Sequence, residues 1–199
     1  MDGNGNGNEV PSLAEQRGVD VVYDPAEDSE LLADAVVEGV AAGDLLLDVG
    51  TGSGYVARRA RKAGVEVVGS DLNPHACEHA ADAGVPVVRA DLTAPFRDCA
   101  VDVVTFNPPY LPEPEDSGWG DWLETAITGG EDGRAVVEPF LDDVGRVLAP
   151  GGRVYLLVST MTGPDEVREY AAVRGLDARE VASEPFRFER LLVLELTRA

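Results

Sequence analysis

Leu45-Leu46-Leu47-Asp48-Val49-Gly50-Thr51-Gly52-Ser53-Gly54 is the stretch on which the reading of this chain turns. A short apolar run, Leu45–Val49, predicts a buried strand, and the glycines after it let the backbone turn sharply and approach a ligand closely. Open α/β sheets bind ligands at this place, outside the carboxyl ends of their strands. A dinucleotide fingerprint would need a third glycine at position 55, which is Tyr55. The spacing is instead Gly-x-Gly-x-Gly, with Asp48 two residues ahead of the first glycine.

Outward from that turn, strand and helix signals alternate. Asp28 and Ser29 are suitable N-caps for a helix carrying Leu31, Leu32, Ala35, Val36 and Val40 on one stripe. Helices are expected over 55–63, from Pro74 to about Ala83, over 135–148 and over 165–174. Further strands are expected over 65–69, 85–90, 101–106, 153–159, 178–186 and 191–197. Pro150-Gly151-Gly152 reads as a helix-end turn. This rhythm implies right-handed crossovers and a parallel sheet covered on both faces. The last two strands are separated by little more than Arg187-Phe188-Glu189, which favours an antiparallel hairpin. The expected fold class is therefore α/β, a doubly wound, seven-stranded, mostly parallel sheet with a reversed last strand. Residues 1–20 read as a flexible arm and 21–199 as a single domain. A long loop, about 107–133, carries four of the 13 prolines after Asn107, and loops this long inside a compact domain are usually functional or mobile.

Composition excludes several classes. The 199 residues include 16 basic and 37 acidic ones, a net charge of −21, yet 44% are hydrophobic, which rules out wholesale disorder. No 18-residue apolar run and no basic-then-apolar leader is present, so the chain reads as cytoplasmic. Cys77 and Cys99 cannot build a disulfide framework or a four-cysteine zinc site. All the basic residues except Lys62 are Arg, and the acids are spread along the chain. That pattern reads as a halophile's surface, hydrated by its charge, ahead of a docking face for a basic partner.

Two further acids fall where a nucleoside needs them. Asp71 ends the second strand, 71 − 50 = 21 residues after the first glycine, where a carboxylate can take both hydroxyls of a ribose. Asp91 ends the third, placed to meet a base edge. The arrangement resembles the class I S-adenosylmethionine-dependent methyltransferases from Leu45 onward. Leu148-Ala149-Pro150-Gly151-Gly152-Arg153 also looks like that family's turn before its fifth strand. The resemblance implies S-adenosylmethionine as cofactor, with Asp48, Gly50, Thr51, Gly52 and Gly54 around its methionine part. Asp71 and Leu72 would hold the ribose, and Asp91 and Leu92 would meet the adenine.

The chemistry is carried by Asn107-Pro108-Pro109-Tyr110 at the end of the fourth strand. A planar NH2 group is a poor nucleophile because its lone pair is delocalised. A site that accepts both hydrogens, through the Asn side-chain oxygen and the carbonyl before a proline, favours the pyramidal, reactive geometry. Two prolines stiffen that carbonyl, and Tyr110 offers a face to stack on a planar amide or base. No base is needed before attack, because the proton becomes acidic only after methyl transfer. Alignment then does most of the catalysis.

The acceptor is thus an amide or amino NH2. Asn107-Pro108-Pro109-Tyr110-Leu111-Pro112, with the later stretch Glu124 to Gly133, resembles the HemK-type protein glutamine methyltransferases. Those enzymes modify the Gly-Gly-Gln loop of translation release factors. Val22-Tyr23-Asp24-Pro25-Ala26-Glu27-Asp28-Ser29 looks like the short eukaryal and archaeal branch of that family. This would bring Pro25, Glu27 and Asp28 near the cofactor and acceptor pocket, with Asn107 bordering both. Only about 20 residues precede the match, whereas bacterial members carry a docking domain there. For the short branch the resemblance implies a small zinc-binding activator subunit. The third strand, expected at a sheet edge and uncharged before Arg89, is where a partner strand would add, along about Val85–Arg89.

Three readings compete. A nucleic-acid amino-group methyltransferase, acting on N6 of adenine or N2 of guanine, shares the motif but lacks a visible basic stripe or recognition domain. A protein lysine methyltransferase would first have to deprotonate a cationic amine and does not need an amide-accepting site. A non-catalytic cofactor-binding partner does not need the intact motif. No membrane contact, sequence-specific nucleic acid or metal site is expected. His75 and His79, four apart, read as a solvated helix face, with Cys77 pointing away. Trp119 and Trp122 line the acceptor channel or anchor their loop. Asp142 and Asp143 read as surface acids.

Overall fold

The computed structural model describes residues 27–110, 130, 132–186 and 189–199. The arm at 1–20, Pro25, Trp119 and Trp122 lie outside them.

Among the described residues, thirteen elements follow in order, counting one 3-10 turn. They are α1 (Glu27–Gly39), β1 (Leu45–Val49), α2 (Tyr55–Lys62), β2 (Glu66–Asp71), α3 (Pro74–Asp82), β3 (Val87–Arg89) and β4 (Val101–Phe106). Then come α4 (Val137–Val147), β5 (Leu148–Ser159), the 3-10 turn Thr160–Thr162, α5 (Pro164–Val173), β6 (Leu176–Pro185) and β7 (Arg190–Arg198). The strands form one sheet in the order β3-β2-β1-β4-β5-β7-β6. All neighbours are parallel except those of β7, which runs antiparallel to β5 and β6. The expected doubly wound sheet with a reversed last strand is what forms. Among the described residues, no helix is long and apolar enough to cross a membrane.

Strands read as near-continuous apolar runs because both faces are covered. Alternate residues of β1 enter opposite cores: Leu46 packs with Leu32 and Val36 of α1 and Val56 of α2, while Leu47 and Val49 join Phe140 and Val144 of α4. Leu156 and Leu157 of β5 divide in the same way, as do Val193 and Leu194 of β7. Each such side chain gains about 1.5–3 kcal/mol by leaving water. Both layers pin the carboxyl ends of β1, β2 and β4 side by side.

Three local expectations need correction. Asp28 and Ser29 are not caps; the helix already includes Glu27, and both residues are buried in its first turn. The third strand is shorter than 85–90. The Val85 N–H donates to the Ala80 carbonyl at the end of α3, its side chain is buried, and only Val87–Arg89 pair with Gly69–Asp71. Finally, Pro150-Gly151-Gly152 does not simply end a helix. The helix stops at Val147, and β5 pairs Leu148 with Val101 and then Arg153 with Val103, so the Pro-Gly-Gly segment bulges within a strand. Proline and glycine signal a departure from helix; partner pairing decides what replaces it.

Candidate active site

The glycine turn leaves β1 at Val49 and becomes the first turn of α2. Gly50, Gly52 and Gly54 all have φ between +53° and +75°, the left-handed region that a Cβ disfavours. A Cβ on Gly50 would also lie 3.3 Å from the Phe106 ring, and one on Gly54 3.0 Å from Val85. Thr51 ties the turn to β2, its N–H donating to the Ser70 carbonyl at 2.9 Å. A Cβ at Gly69 would collide with the Thr51 side chain, so the close approach of turn and strand depends on that glycine too.

Asp48 braces this turn from beneath. Oδ2 accepts from Thr51 Oγ1 at 2.7 Å and from the Ala57 N–H at 3.3 Å, and Oδ1 accepts from Thr105 Oγ1 at 2.7 Å. The turn, α2 and β4 are thereby joined through one buried carboxylate. Burial pushes its pKa above the usual carboxylate value, against the pull of these hydrogen bonds. Thr105 had no place in the sequence reading, although a signal existed: Asp48 and Thr105 are polar residues in apolar strands and stand opposite each other in the β1–β4 register.

Asp71 sits at the end of β2 facing the same turn. Oδ2 accepts the Gly52 N–H at 3.0 Å, and Oδ1 accepts the Asn73 N–H at 2.9 Å. Desolvation raises its pKa, opposed by these backbone donors. Leu72 beside it is 46% exposed, offering apolar surface next to a fixed carboxylate. Asp91 is exposed just past β3, and Leu92 adopts φ +47°.

The segment after Leu92 is held by a cluster that sequence reasoning dismissed. Asp143 is not a bare surface acid. Its Oδ2 accepts from Thr93 Oγ1 at 2.7 Å, and both its oxygens accept from Arg146. Arg146 also donates to the carbonyls of Thr93 and Phe96 and to Asp98. The guanidinium holds the Asp143 carboxyl below its usual pKa. Asp142 pairs with Arg174 at 2.7 Å.

At the end of β4, Asn107 meets α1. Its Nδ2 donates to Asp28 Oδ2 at 3.1 Å, and its Oδ1 is buried without a hydrogen-bond partner among the described residues. A buried acceptor left unmet is costly and marks a place for a donor. Pro108 is buried, and Tyr110 packs against the α1–β1 core. Gly133, at φ +73°, brings its turn close to Tyr110: a Cβ there would lie 2.8 Å from the Tyr110 carbonyl oxygen. Arg134 donates to the Thr162 carbonyl and pairs with Asp132, anchoring that turn. Glu27 is exposed at the head of α1. His75 and His79 are exposed on α3, and Cys77 Sγ donates to the Asp71 carbonyl at 3.5 Å.

The structure thus brings the glycine turn, Asp71 and the Asn107 motif to one end of the sheet. A left-handed glycine cradle and a pre-aimed carboxylate suit a nucleoside carrying a flexible tail. The unmet Asn107 oxygen beyond them suits an NH2 acceptor.

Known proteins resemble this chain along most of its length. Residues 47–108 match the methyltransferase domain family. The chain is 34% identical over 186 residues to a Methanocaldococcus jannaschii protein named as a candidate protein N5-glutamine methyltransferase, spanning 89% of this chain and 92% of that one. It is 33% identical over 193 residues to human methyltransferase HEMK2, spanning 89% and 90%. A solved chain from the E. cuniculi Mtq2–Trm112 complex, described as responsible for methylating the eRF1 translation termination factor, superposes with a TM-score of 0.76 at 32% identity. That match covers 90% of this chain and 100% of that one. Folded as a class I methyltransferase with S-adenosylmethionine as its cofactor, the chain belongs to the HEMK2-type branch of the protein N5-glutamine methyltransferases.

Proposed function

We propose that this chain methylates the side-chain amide nitrogen of the glutamine in the Gly-Gly-Gln loop of a translation release factor. The observation that carries this is the buried Asn107 Oδ1 at the end of β4, which has no hydrogen-bond partner among the described residues. When bound, S-adenosylmethionine supplies an electrophilic methyl group on a positively charged sulfur. Gly50, Gly52 and Gly54 leave room for the methionine part, with Thr51 and Asp48 holding their turn in shape. Asp71, flanked by Leu72, takes the ribose hydroxyls, and Asp91 with Leu92 borders the adenine. In this reading Glu27 borders the pocket from the start of α1, and Pro25, outside the described residues, is assigned to the same pocket by the sequence resemblance alone. Asn107 Oδ1 and the Pro108 carbonyl accept the two amide hydrogens, Pro109 stiffens that carbonyl, and Tyr110 stacks on the amide plane. The relative from E. cuniculi, described as acting on a termination factor, supports this substrate.

A small zinc-binding activator docks along β3 in this reading. That strand pairs with β2 on one side only, and Val88 in it is 42% exposed. The opposite edge, β6, is guarded by exposed Asp177, Arg179, Glu180 and Glu184 and by an irregularity at 180–182. The Trm112 subunit in the E. cuniculi complex supports a partner of this kind. Residues 21–199 act as one domain in the cytoplasm. The acidic surface belongs to a salt-rich solvent, where a Debye length of ~3 Å at 1 M removes long-range repulsion from an anionic ribonucleoprotein target. Eight arginines (59, 134, 146, 153, 168, 174, 179 and 190) are paired with carboxylates, which argues against a nucleic-acid-reading stripe.

The test incubates the chain with labelled cofactor and release factor in high salt, with and without the activator. A Gln→Ala release factor and bulk nucleic acid run alongside. Label confined to the glutamine-bearing factor supports the proposal; label retained by the Gln→Ala factor, or found only in nucleic acid, refutes it.

A further inference from the structure

An asparagine side chain can present either its oxygen or its NH2 group with little change of shape. An amide-accepting site works only in one of those orientations, because an inverted Asn107 would confront an incoming NH2 donor with another donor. Something in the fold must choose.

Asp28 is the group placed to do so. An ionised carboxylate only accepts hydrogen bonds, so the face of Asn107 turned toward it must be the Nδ2 donor, and that pair stands at 3.1 Å. The carboxylate is itself unable to swing away. Its other oxygen accepts the Ser29 N–H at 2.6 Å and Ser29 Oγ at 3.2 Å. Asp28 is 4% exposed and Ser29 7%. With Nδ2 engaged, Asn107 Oδ1 points away from Asp28 into the buried place where no described donor meets it.

We propose that Asp28 is a positioning residue that fixes the amide orientation of Asn107, and so sets the site to accept an NH2 group. This rests on the glutamine-methyltransferase reading for its kinetic consequence, but not for its structural one. Asp28 is thereby given a role on the acceptor side, in place of one as a direct cofactor ligand.

The experiment uses the full chain with its activator and compares wild type, Asp28→Ala and Asp28→Asn. It reads kcat and KM for the release factor, cofactor Kd by calorimetry, and hydrogen-exchange protection of the 15N-labelled Asn107 side-chain NH2. Asp28→Ala is expected to lower kcat about a hundredfold, the scale on which small misplacements act, with cofactor Kd held within about threefold. The Asn107 NH2 protection should vanish with it. Asp28→Asn keeps the shape and one acceptor and should fall between the two, which also covers an Asp28→Ala chain that fails to fold. Unchanged kcat and NH2 protection in both variants, or a kcat loss matched by an equal loss of cofactor affinity, overturns the assignment. If the wild type methylates no glutamine, the proposed function fails, and the NH2 protection still decides whether Asp28 orients Asn107.

Discussion

Asp71 Oδ2 accepts the Gly52 N–H at 3.0 Å, so the carboxylate at the end of β2 and the glycine turn after β1 hold each other in place. Asn73 N–H occupies the second oxygen. The carboxylate is thus aimed before anything binds, and a ribose needs to add only its own hydroxyl donors.

Cofactor affinity should therefore carry the titration of Asp71. Burial raises its pKa, so on acidification it takes up a proton above the usual carboxylate value of 3.8 and loses its ability to accept both hydroxyls. Affinity measured by calorimetry should be flat near neutrality and decline as pH falls through that raised pKa. Asp71→Asn should weaken binding by about 1.5–3 kcal/mol, the range for hydrogen bonds to a charged group, and remove the pH dependence. The stability sign is opposite. Between 3.8 and the raised value the folded chain holds the extra proton, so this group alone favours folding as pH falls through that window.

Asn107→Ala should cripple methyl transfer while leaving cofactor affinity nearly unchanged. Loss of a pre-organised hydrogen-bonding group at a reacting centre costs roughly 100- to 1,000-fold in kcat. Single-turnover rates beside calorimetric Kd values separate the two effects; a parallel loss of both would assign Asn107 to the cofactor.

Gly133→Ala should damage catalysis from outside the acceptor site. Its φ of +73° strains any L side chain, and the new Cβ would meet first the buried Thr162 side chain and then the Tyr110 carbonyl oxygen at 2.8 Å. A left-handed residue costs about 1–2 kcal/mol, and the displaced Tyr110 should lower kcat further. Thermal unfolding and kinetics on one preparation distinguish a stability loss from a catalytic one.

Arg146→Ala should loosen the segment that follows Asp91 and Leu92. Losing its charge-assisted hydrogen bonds should cost about 1–3 kcal/mol, read as a Tm lower by ~2–4 °C per kcal/mol, and should weaken cofactor binding. Asp143 gives the pH signature. Its pKa is lowered in the fold, so its stabilisation is complete above the ordinary value of 3.8 and disappears as pH falls through the lowered one. The variant should lose that slope in acid unfolding curves.

Val88→Asp should impair activator binding without disturbing the fold. Val88 is exposed on an edge strand, and a carboxylate there guards an edge against strand addition. Circular dichroism should match wild type while the complex, measured by calorimetry, weakens at least about tenfold.

Much of this architecture was legible in the sequence because local rules carry it. Leu45–Val49 with its glycine turn, Asp71 at the next strand end and the closing hairpin each follow from short-range pattern. Other features depend on contacts between distant residues. The hydrogen bond from Asn107 to Asp28 spans 79 residues, and that from Thr93 to Asp143 spans 50. No periodicity shows either one. Pro150-Gly151-Gly152 failed as a plain helix stop because its fate is set by what β4 offers as a partner.

The place of β7 carries a consequence for how the chain comes to be. Latest of the seven strands to be synthesised, it is inserted between β5 and β6. Until it emerges from the ribosome, the growing sheet presents a bare β5 edge, and β6 has no neighbour. Val193, Leu194 and Leu196, which are wholly buried once β7 is seated, join both cores at the end of translation. Pairing of β7 with β5 joins residues more distant in the chain than its hairpin with β6, and such contacts are slower to form. A nascent chain stalled before Arg190 should bind chaperones through that edge and release them only when the final strand is seated.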